Sequence, residues 1–260
     1  MFDFHMHSHV SYDAKGIPFV MAQKAREMGV EELCFTDHVD RGNFVAELQN
    51  DFRIDDYIAA YNIEVPGLKI RRGVELGLQP DNVELVSQIV ARYPFDFVIG
   101  SVHYVDGLDI YYDEYWQDKT AQEAERKYFQ VILDSVKSHN DFDVLGHLTY
   151  IGKLMANPAR RSISCDDYRQ FTDEILRILA EKGKGIEINT SGYDRCGAFM
   201  PDRGFLLRFK ELGGQIVTVG SDAHNEKRVG QYCKEACCMV QEIFGYVCTF
   251  AQRKPIFHKI

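Results

Sequence analysis

Apolar residues along this chain form short runs of period two, separated by longer stretches in which they return every three or four positions. The first run, Phe2-Asp3-Phe4-His5-Met6-His7-Ser8-His9, alternates. As a strand it places Phe2, Phe4 and Met6 on one face and His5 and His7 on the other. Pro18 to Met28 predicts a helix, with proline in its first turn and Gly29 placed to end it. Glu32 to Thr36 is the next predicted strand and runs into Asp37-His38. A polar region follows from Asp40 to about Asp56, then a short helix and a turn at Pro66-Gly67. Lys69 to Leu76 is the third strand, in which Glu75 shares a face with the small residues Gly73 and Gly77. Pro80-Asp81 opens a helix, with Glu84 completing a capping box, and Phe95 to Val102 is a fourth strand that ends on His103.

In the second half, Thr120 and Glu123 form a capping box for a long helix to His139. Ala124, Tyr128, Ile132 and Val136 make its apolar stripe. The fifth strand, Phe142 to Gly146, ends on His147. Ser164 and Asp167 start another helix, with Phe171, Ile175 and Ile178 facing inward. Gly185 to Asn189 is the sixth strand, and a helix from about Pro201 to Leu212 stops at Gly213-Gly214. The seventh strand, Gln215 to Gly220, ends on Ser221-Asp222-Ala223-His224. One more helix and an apolar tail through Tyr246, Phe250 and Phe257 follow. Strands alternating with helices argue for parallel pairing and right-handed crossovers. Polar residues stand at the C-terminal end of nearly every strand. A distorted α/β barrel of the TIM type, (β/α)7, arranges such ends in a ring on the face where active sites form. An open doubly wound sheet would gather them at one crevice instead.

The composition changes this picture little. At 260 residues, 45% hydrophobic and 27% charged, the chain can build one large core, and a single domain over 1–260 is the simplest account. A net charge of -9 weighs against a nucleic-acid or anionic-membrane surface. No apolar run reaches the length of a membrane span, and the N-terminus lacks a signal-peptide pattern. Seven cysteines without a regular framework fit a reducing cytosol, so a cytoplasmic location is expected. Cys233, Cys237 and Cys238 read as small packing residues on a buried helix face. The apolar tail leaves room for a homo-oligomer.

The chemistry lies in the strand ends. His5, His7, Asp13, His38, Glu75, His103, His147, Asp222 and His224 are candidate metal ligands. Nine are too many for one ion, since three or four protein ligands suffice. They suggest two or three divalent ions, with a carboxylate such as Glu75 shared. Nitrogen and oxygen ligands without thiolate suit zinc, manganese or iron alike, and such clusters generate hydroxide at neutral pH. Arg160 and Arg161 follow the fifth strand and Arg195 the sixth, on the same face. Guanidinium groups bind phosphate oxygens bidentately, so a small phosphate ester is the expected partner.

These residues carry a resemblance. His5-Met6-His7-Ser8, Thr36-Asp37-His38, Gly146-His147 and Ser221-Asp222-Ala223-His224, with Glu75 and His103 between them, are similar to the four motifs of the polymerase and histidinol phosphatase (PHP) superfamily of metallohydrolases. Within it, Gly73 to Gly77, Phe95 to His103, Phe142 to Leu148 and Gly185 to Thr190 most resemble the monofunctional histidinol-phosphatases of histidine biosynthesis. The run Leu148-Thr149-Tyr150-Ile151-Gly152-Lys153 departs from the more charged text of some relatives. The resemblance implies a distorted seven-stranded barrel and a trinuclear site. His5, His7, Glu75 and Asp222 would hold the first metal, Glu75, His103 and His147 the second, and Asp13, His38 and His224 the third.

It also implies hydrolysis of L-histidinol phosphate by metal-activated hydroxide. Arg161 and Arg195, with Arg160, would bind the phosphoryl oxygens, and Asp222, His224 or His9 would stand near the leaving alcohol. His9 is expected near substrate and not as a ligand. Asp40, Glu47 or Asp109 would meet the substrate ammonium, and Tyr104, Tyr112, Tyr115 or Trp116 its ring. Two other readings stand beside this one: a PHP phosphoesterase acting on nucleotides or another small ester, and a non-catalytic PHP interaction module.

Overall fold

Seven parallel strands form the frame of the computed structural model, which describes residues 1–40 and 54–259. They are β1 (Phe2–Asp3), β2 (Glu32–Phe35), β3 (Lys69–Gly77), β4 (Phe97–Ser101), β5 (Val144–Leu145), β6 (Gly185–Asn189) and β7 (Val217–Gly220). Each pairs with the next in that order. The ring closes between the first and last strands through backbone bonds. Phe4 N donates to Val219 O at 2.8 Å, Asp222 N to His5 O at 2.7 Å, and His7 N to Ala223 O at 2.8 Å. Closure therefore sets His5 and His7 beside Asp222 and His224. The architecture is the distorted (β/α)7 barrel.

Helices fill the crossovers. The helix Ala121–Ser138 begins with the expected capping box: Glu123 N donates to Thr120 Oγ1 at 3.3 Å, and Thr120 N to Glu123 Oε2 at 2.8 Å. Its stripe of Ala124, Tyr128, Ile132 and Val136 is fully buried. Two other helix starts differ from expectation. The helix after β3 runs Val83–Arg92 without a side-chain cap, because the amide of Asn82 instead ties down the loop, donating to Gly77 O at 2.8 Å and accepting from Gln79 N at 2.9 Å. Asp167 accepts from Ser164 N at 2.8 Å in a turn, and the helix itself starts only at Arg169.

Parallel strands covered on both faces lose the in-out contrast of a half-exposed strand. Residues Phe2 to Ser8 are accordingly all buried, and regular pairing stops at Asp3, with one further bridge from Met6 to Ala223. The apolar tail is a β-hairpin, Val247–Ala251 with Lys254–His258. It packs at the N-terminal end of the barrel, with Phe250 on Phe97 (ring centroids 4.9 Å) and His258 on Phe2 (4.4 Å). Arg253 anchors it to Asp143 at 2.5 Å. The opposite end, where the strands finish, stays open for chemistry. On the helix Cys233–Phe244, Cys233 and Cys237 are buried as expected, and Cys238 is exposed.

Candidate metal centre

Six of the seven strands end on side chains that meet at a common point, and the other, β6, supplies Glu187 behind it. The short strand His38–Val39 lies against β3, with His38 opposite Glu75 in register. Glu75 is fully buried at the centre. Its Oε2 lies 2.8 Å from His38 Nδ1, 3.3 Å from His5 Nε2 and 3.5 Å from His7 Nε2. Its Oε1 lies 2.9 Å from His147 Nε2 and 3.6 Å from His103 Nε2, and accepts from the Ser101 hydroxyl at 2.6 Å. Asp222 Oδ1 approaches His7 Nε2 at 3.4 Å and His5 Nε2 at 3.7 Å. Asp13 Oδ2 lies 3.1 Å from His224 Nε2 and 3.6 Å from His38 Nε2. The structure thus brings all nine expected ligands together. His5, His7 and Glu75 can converge on one ion, and so can Glu75, His103 and His147, with ligand atoms within 4.8 Å of one another. His7, His38 and His224 make a third such set, and His38, Asp40 and His103 a fourth.

Carboxylates behind the ring orient the histidines. His5 Nδ1 lies 2.6 Å from Glu187 Oε1, and His103 Nδ1 lies 2.9 Å from Asp40 Oδ1. A carboxylate only accepts, so the neutral form of each ring keeps its proton on Nδ1 and turns a bare Nε2 inward. There His5 Nε2 faces His7 Nε2 at 3.0 Å, and His103 Nε2 faces His147 Nε2 at 3.3 Å. Glu75 Oε2, also buried, has no hydrogen-bond donor. Converging acceptors of this kind repel one another unless a cation lies between them, and imidazole with carboxylate is the donor set of zinc, manganese or iron sites. The residues present fit a divalent metal.

In the metal-free protein, protons play part of that role. Burial opposes charge on His5, yet Glu187, Glu75 and Asp222 together push its pKa well above the usual range. Burial, with the charges of His38 and His224, pushes His7 well down and keeps it neutral. Burial is outweighed at His38, where Glu75, Asp40 and Asp13 push the pKa up to about 10. Glu75 and Asp222 are also held well below the ordinary carboxylate range despite burial, chiefly by His5. Asp222 adopts a left-handed backbone, φ 55°. That conformation is uncommon outside glycine and turns up at functional sites.

A cavity of about 520 Å³ opens over the cluster. Arg195 lines it as expected, and so do Asp109 and Tyr112, joined by Tyr12 and Tyr111. Arg161 does not. It reaches Glu125 Oε2 at 3.2 Å and Asp167 Oδ2 at 2.5 Å, because the loop after β5 folds back onto the helix carrying buried Glu125. Arg160 is also off the cavity wall and contacts Met155 Sδ at 2.7 Å. His9 is exposed outside the cavity, its Nδ1 3.4 Å from Gly16 O. Tyr115 and Trp116 are core residues bonded to Ala124 O and Ile110 O, and Tyr104 does not line the cavity. Asp40 is buried behind His103, and Glu47 lies outside the described residues.

Sequence reasoning missed Lys153 and Glu187. Lys153 is buried at the cavity wall, where its Nζ donates to Ser191 Oγ at 2.6 Å and lies 3.5 Å from Asp222 Oδ2. Burial lowers its pKa, with Asp222 opposing. A lone cation closing the largely apolar run from Leu148 was the available signal. For Glu187 it was a single charge between two isoleucines in a buried strand.

A model of the PHP domain matches residues 3–191. The chain belongs to the PHP domain family. A histidinol-phosphatase of Lactococcus lactis is 32% identical over 260 residues, covering 97% of this chain and 95% of that protein. A crystal structure of the Lactococcus lactis histidinol phosphate phosphatase, complexed with zinc, L-histidinol and phosphate, aligns with a TM-score of 0.81 at 30% identity and covers 98% of both chains. A Listeria monocytogenes structure shares the fold at 16% identity, with a TM-score of 0.75 over 91% of this chain and 100% of that one. The PHP match ends before Asp222 and His224, which the loop after β7 brings to the same cluster.

Proposed function

We propose that this PHP domain protein is a metal-dependent phosphomonoesterase that hydrolyses L-histidinol phosphate to L-histidinol and phosphate. The observation that carries the reading is the buried cluster of converging imidazoles around Glu75, lying at the floor of a cavity that also holds cationic, acidic and aromatic side chains. The near full-length likeness to the Lactococcus lactis enzyme supports the substrate.

In this reading His5, His7, Glu75 and Asp222 would hold one ion, Glu75, His103 and His147 a second, and Asp13, His38 and His224 a third. Divalent ions at such a site lower the pKa of water toward 7 and offset charge on phosphoryl oxygens. The protein's own groups do the rest. Arg195 and Lys153, both on the cavity wall, offset the charge of the phosphoryl group. Asp109 offers a carboxylate to the substrate ammonium, and Tyr111 and Tyr112 offer rings to its imidazole. Buried Glu187 and Asp40 hold the histidine rings in orientation, so little reorganisation is needed during reaction. Seven free cysteines accord with a cytoplasmic setting, and no described helix is long and apolar enough to cross a membrane.

The test is phosphate release from L-histidinol phosphate beside nucleoside and sugar phosphates, using protein stripped of metal and refilled with zinc or manganese. The reading expects metal-dependent turnover with a marked preference for L-histidinol phosphate. Turnover of other esters alone would keep the hydrolase and reject the substrate. No turnover with any metal or ester would reject both.

A further inference from the structure

We infer that Asp37 and Ser11 are positioning residues for His7, forming a carboxylate–hydroxyl–imidazole relay that fixes which nitrogen of His7 is bare. His5 and His103 each have a carboxylate directly on Nδ1. His7 does not. Its Nδ1 lies 3.2 Å from the hydroxyl of Ser11, a group that can donate or accept. By itself that contact would leave the ring free to choose either tautomer.

The surroundings of Ser11 remove the choice. Asp37 is fully buried, and its Oδ1 accepts from Ser8 N at 2.7 Å, a bond whose direction is fixed because a backbone N–H only donates. Ser11 Oγ lies 2.7 Å from the same Oδ1 and donates its one proton there. Tyr61 OH donates to the other oxygen, Oδ2. Ser11 Oγ also accepts from the backbone N–H of His38 at 3.1 Å. With its proton committed to Asp37, the Ser11 oxygen can only accept from His7. The proton of His7 therefore sits on Nδ1, and Nε2 faces Glu75 and Asp222 bare. The same hydroxyl pins the backbone of His38, so one buried acid organises two residues of the cluster. This gives a physical reason for burying a carboxylate beside His38 that does not itself reach the cavity.

The consequence for metal affinity rests on the reading of the cluster as a metal site, whereas the tautomer does not. The experiment therefore has two arms on the full chain. In the metal-stripped protein, long-range 1H–15N spectra of the histidine rings, with His7 assigned by its loss in His7→Gln, report the tautomer. Zinc titration against a chromophoric chelator reports affinity. The relay expects Nδ1–H at His7 in the wild type and a shift to Nε2–H in Ser11→Ala and Asp37→Ala. It also expects zinc dissociation constants raised about 10- to 100-fold in those two variants. Asp37→Asn keeps an acceptor oxygen toward Ser8 and Ser11, so it should keep the tautomer and stay within about threefold in affinity. Thermal melts accompany each variant, and Ser11→Ala, which loses a single oxygen, decides the matter if Asp37→Ala does not fold. An Nε2–H tautomer in the wild type, or an unchanged tautomer in Ser11→Ala, overturns the relay. A wild type that carries Nδ1–H, with the switch to Nε2–H in Ser11→Ala, but binds no zinc keeps the relay and removes the metal reading.

Discussion

Replacing Lys153 by methionine separates charge from packing at the cavity wall. The residue is only 7% exposed, so a stem of similar size preserves the contacts while removing the ammonium. That ammonium lies 3.5 Å from Asp222 Oδ2 and 4.8 Å from the centre of the Tyr150 ring. An opposite unit charge about 4 Å away is worth about 4 kcal/mol at an effective dielectric of about 20. Asp222 already takes part of this in the free protein, and Arg195 shares the load with a bound phosphate. About half, roughly 2 kcal/mol, should appear in the transition state, which is about 30-fold in kcat/KM. The assay is steady-state phosphate release from L-histidinol phosphate by zinc-loaded Lys153→Met, with bound zinc measured in parallel. A change below about threefold at full zinc occupancy would refute the electrostatic role of Lys153. Loss of zinc would mean that the lysine acts through Asp222 and not on the phosphate.

Other perturbations test other parts of the account. Glu187→Gln keeps one acceptor oxygen where two are needed, for His5 Nδ1 and for His147 N at 2.8 Å, so one buried donor meets an amide N–H. An unsatisfied donor costs about 1–3 kcal/mol, so chelator competition should show zinc binding weakened about 5- to 150-fold, and an unchanged affinity would contradict this geometry. Arg161→Ala breaks contacts to Glu125 and Asp167 outside the cavity, so its melting temperature should fall by roughly 2–6 °C while kcat/KM changes less than in Lys153→Met. The reverse ranking would return Arg161 to the substrate. In the metal-free protein the raised pKa of His38, about 10, contributes stability that is full below the unfolded value of about 6.5 and lost as pH rises toward 10. Raised values at His5, His103 and His224 act in the same direction. The metal-free melting temperature should therefore decline from pH 6.5 to 9.5, and a rise over that interval would contradict the charge assignments.

Much of the fold was legible because its elements announce themselves locally. The predicted strand Gly185 to Asn189 and the capping box at Thr120 match the structure, since a buried apolar run and a reciprocal cap leave few other conformations. What stayed hidden depended on distant partners. The tail became a hairpin because Phe97, Phe2 and Asp143, far away in sequence, offer it a surface. Asn82 displaced Asp81 from the helix start because Gly77 needed a donor. At the site, all nine expected ligands meet because strand register carries them to one end, and register follows from the same apolar pattern. Arg161 was misplaced because position in a loop does not tell which carboxylate will capture a guanidinium, and Glu125 is on a helix 36 residues earlier in the chain. Glu187 was read as an ordinary strand residue and Asp37 as part of the Thr36-Asp37-His38 motif without a role of its own, because a charge that orients a ligand is visible only once the ligand's second nitrogen has been placed.

The measurement that tests the central claim most directly is anomalous diffraction at the zinc edge from crystals of the zinc-loaded protein. The account predicts peaks at the ends of the strands, one among His5, His7, Glu75 and Asp222 and one among Glu75, His103 and His147, with Glu75 common to both. No peak at this cluster in protein that has been saturated with zinc, or peaks confined to other parts of the chain, would contradict it.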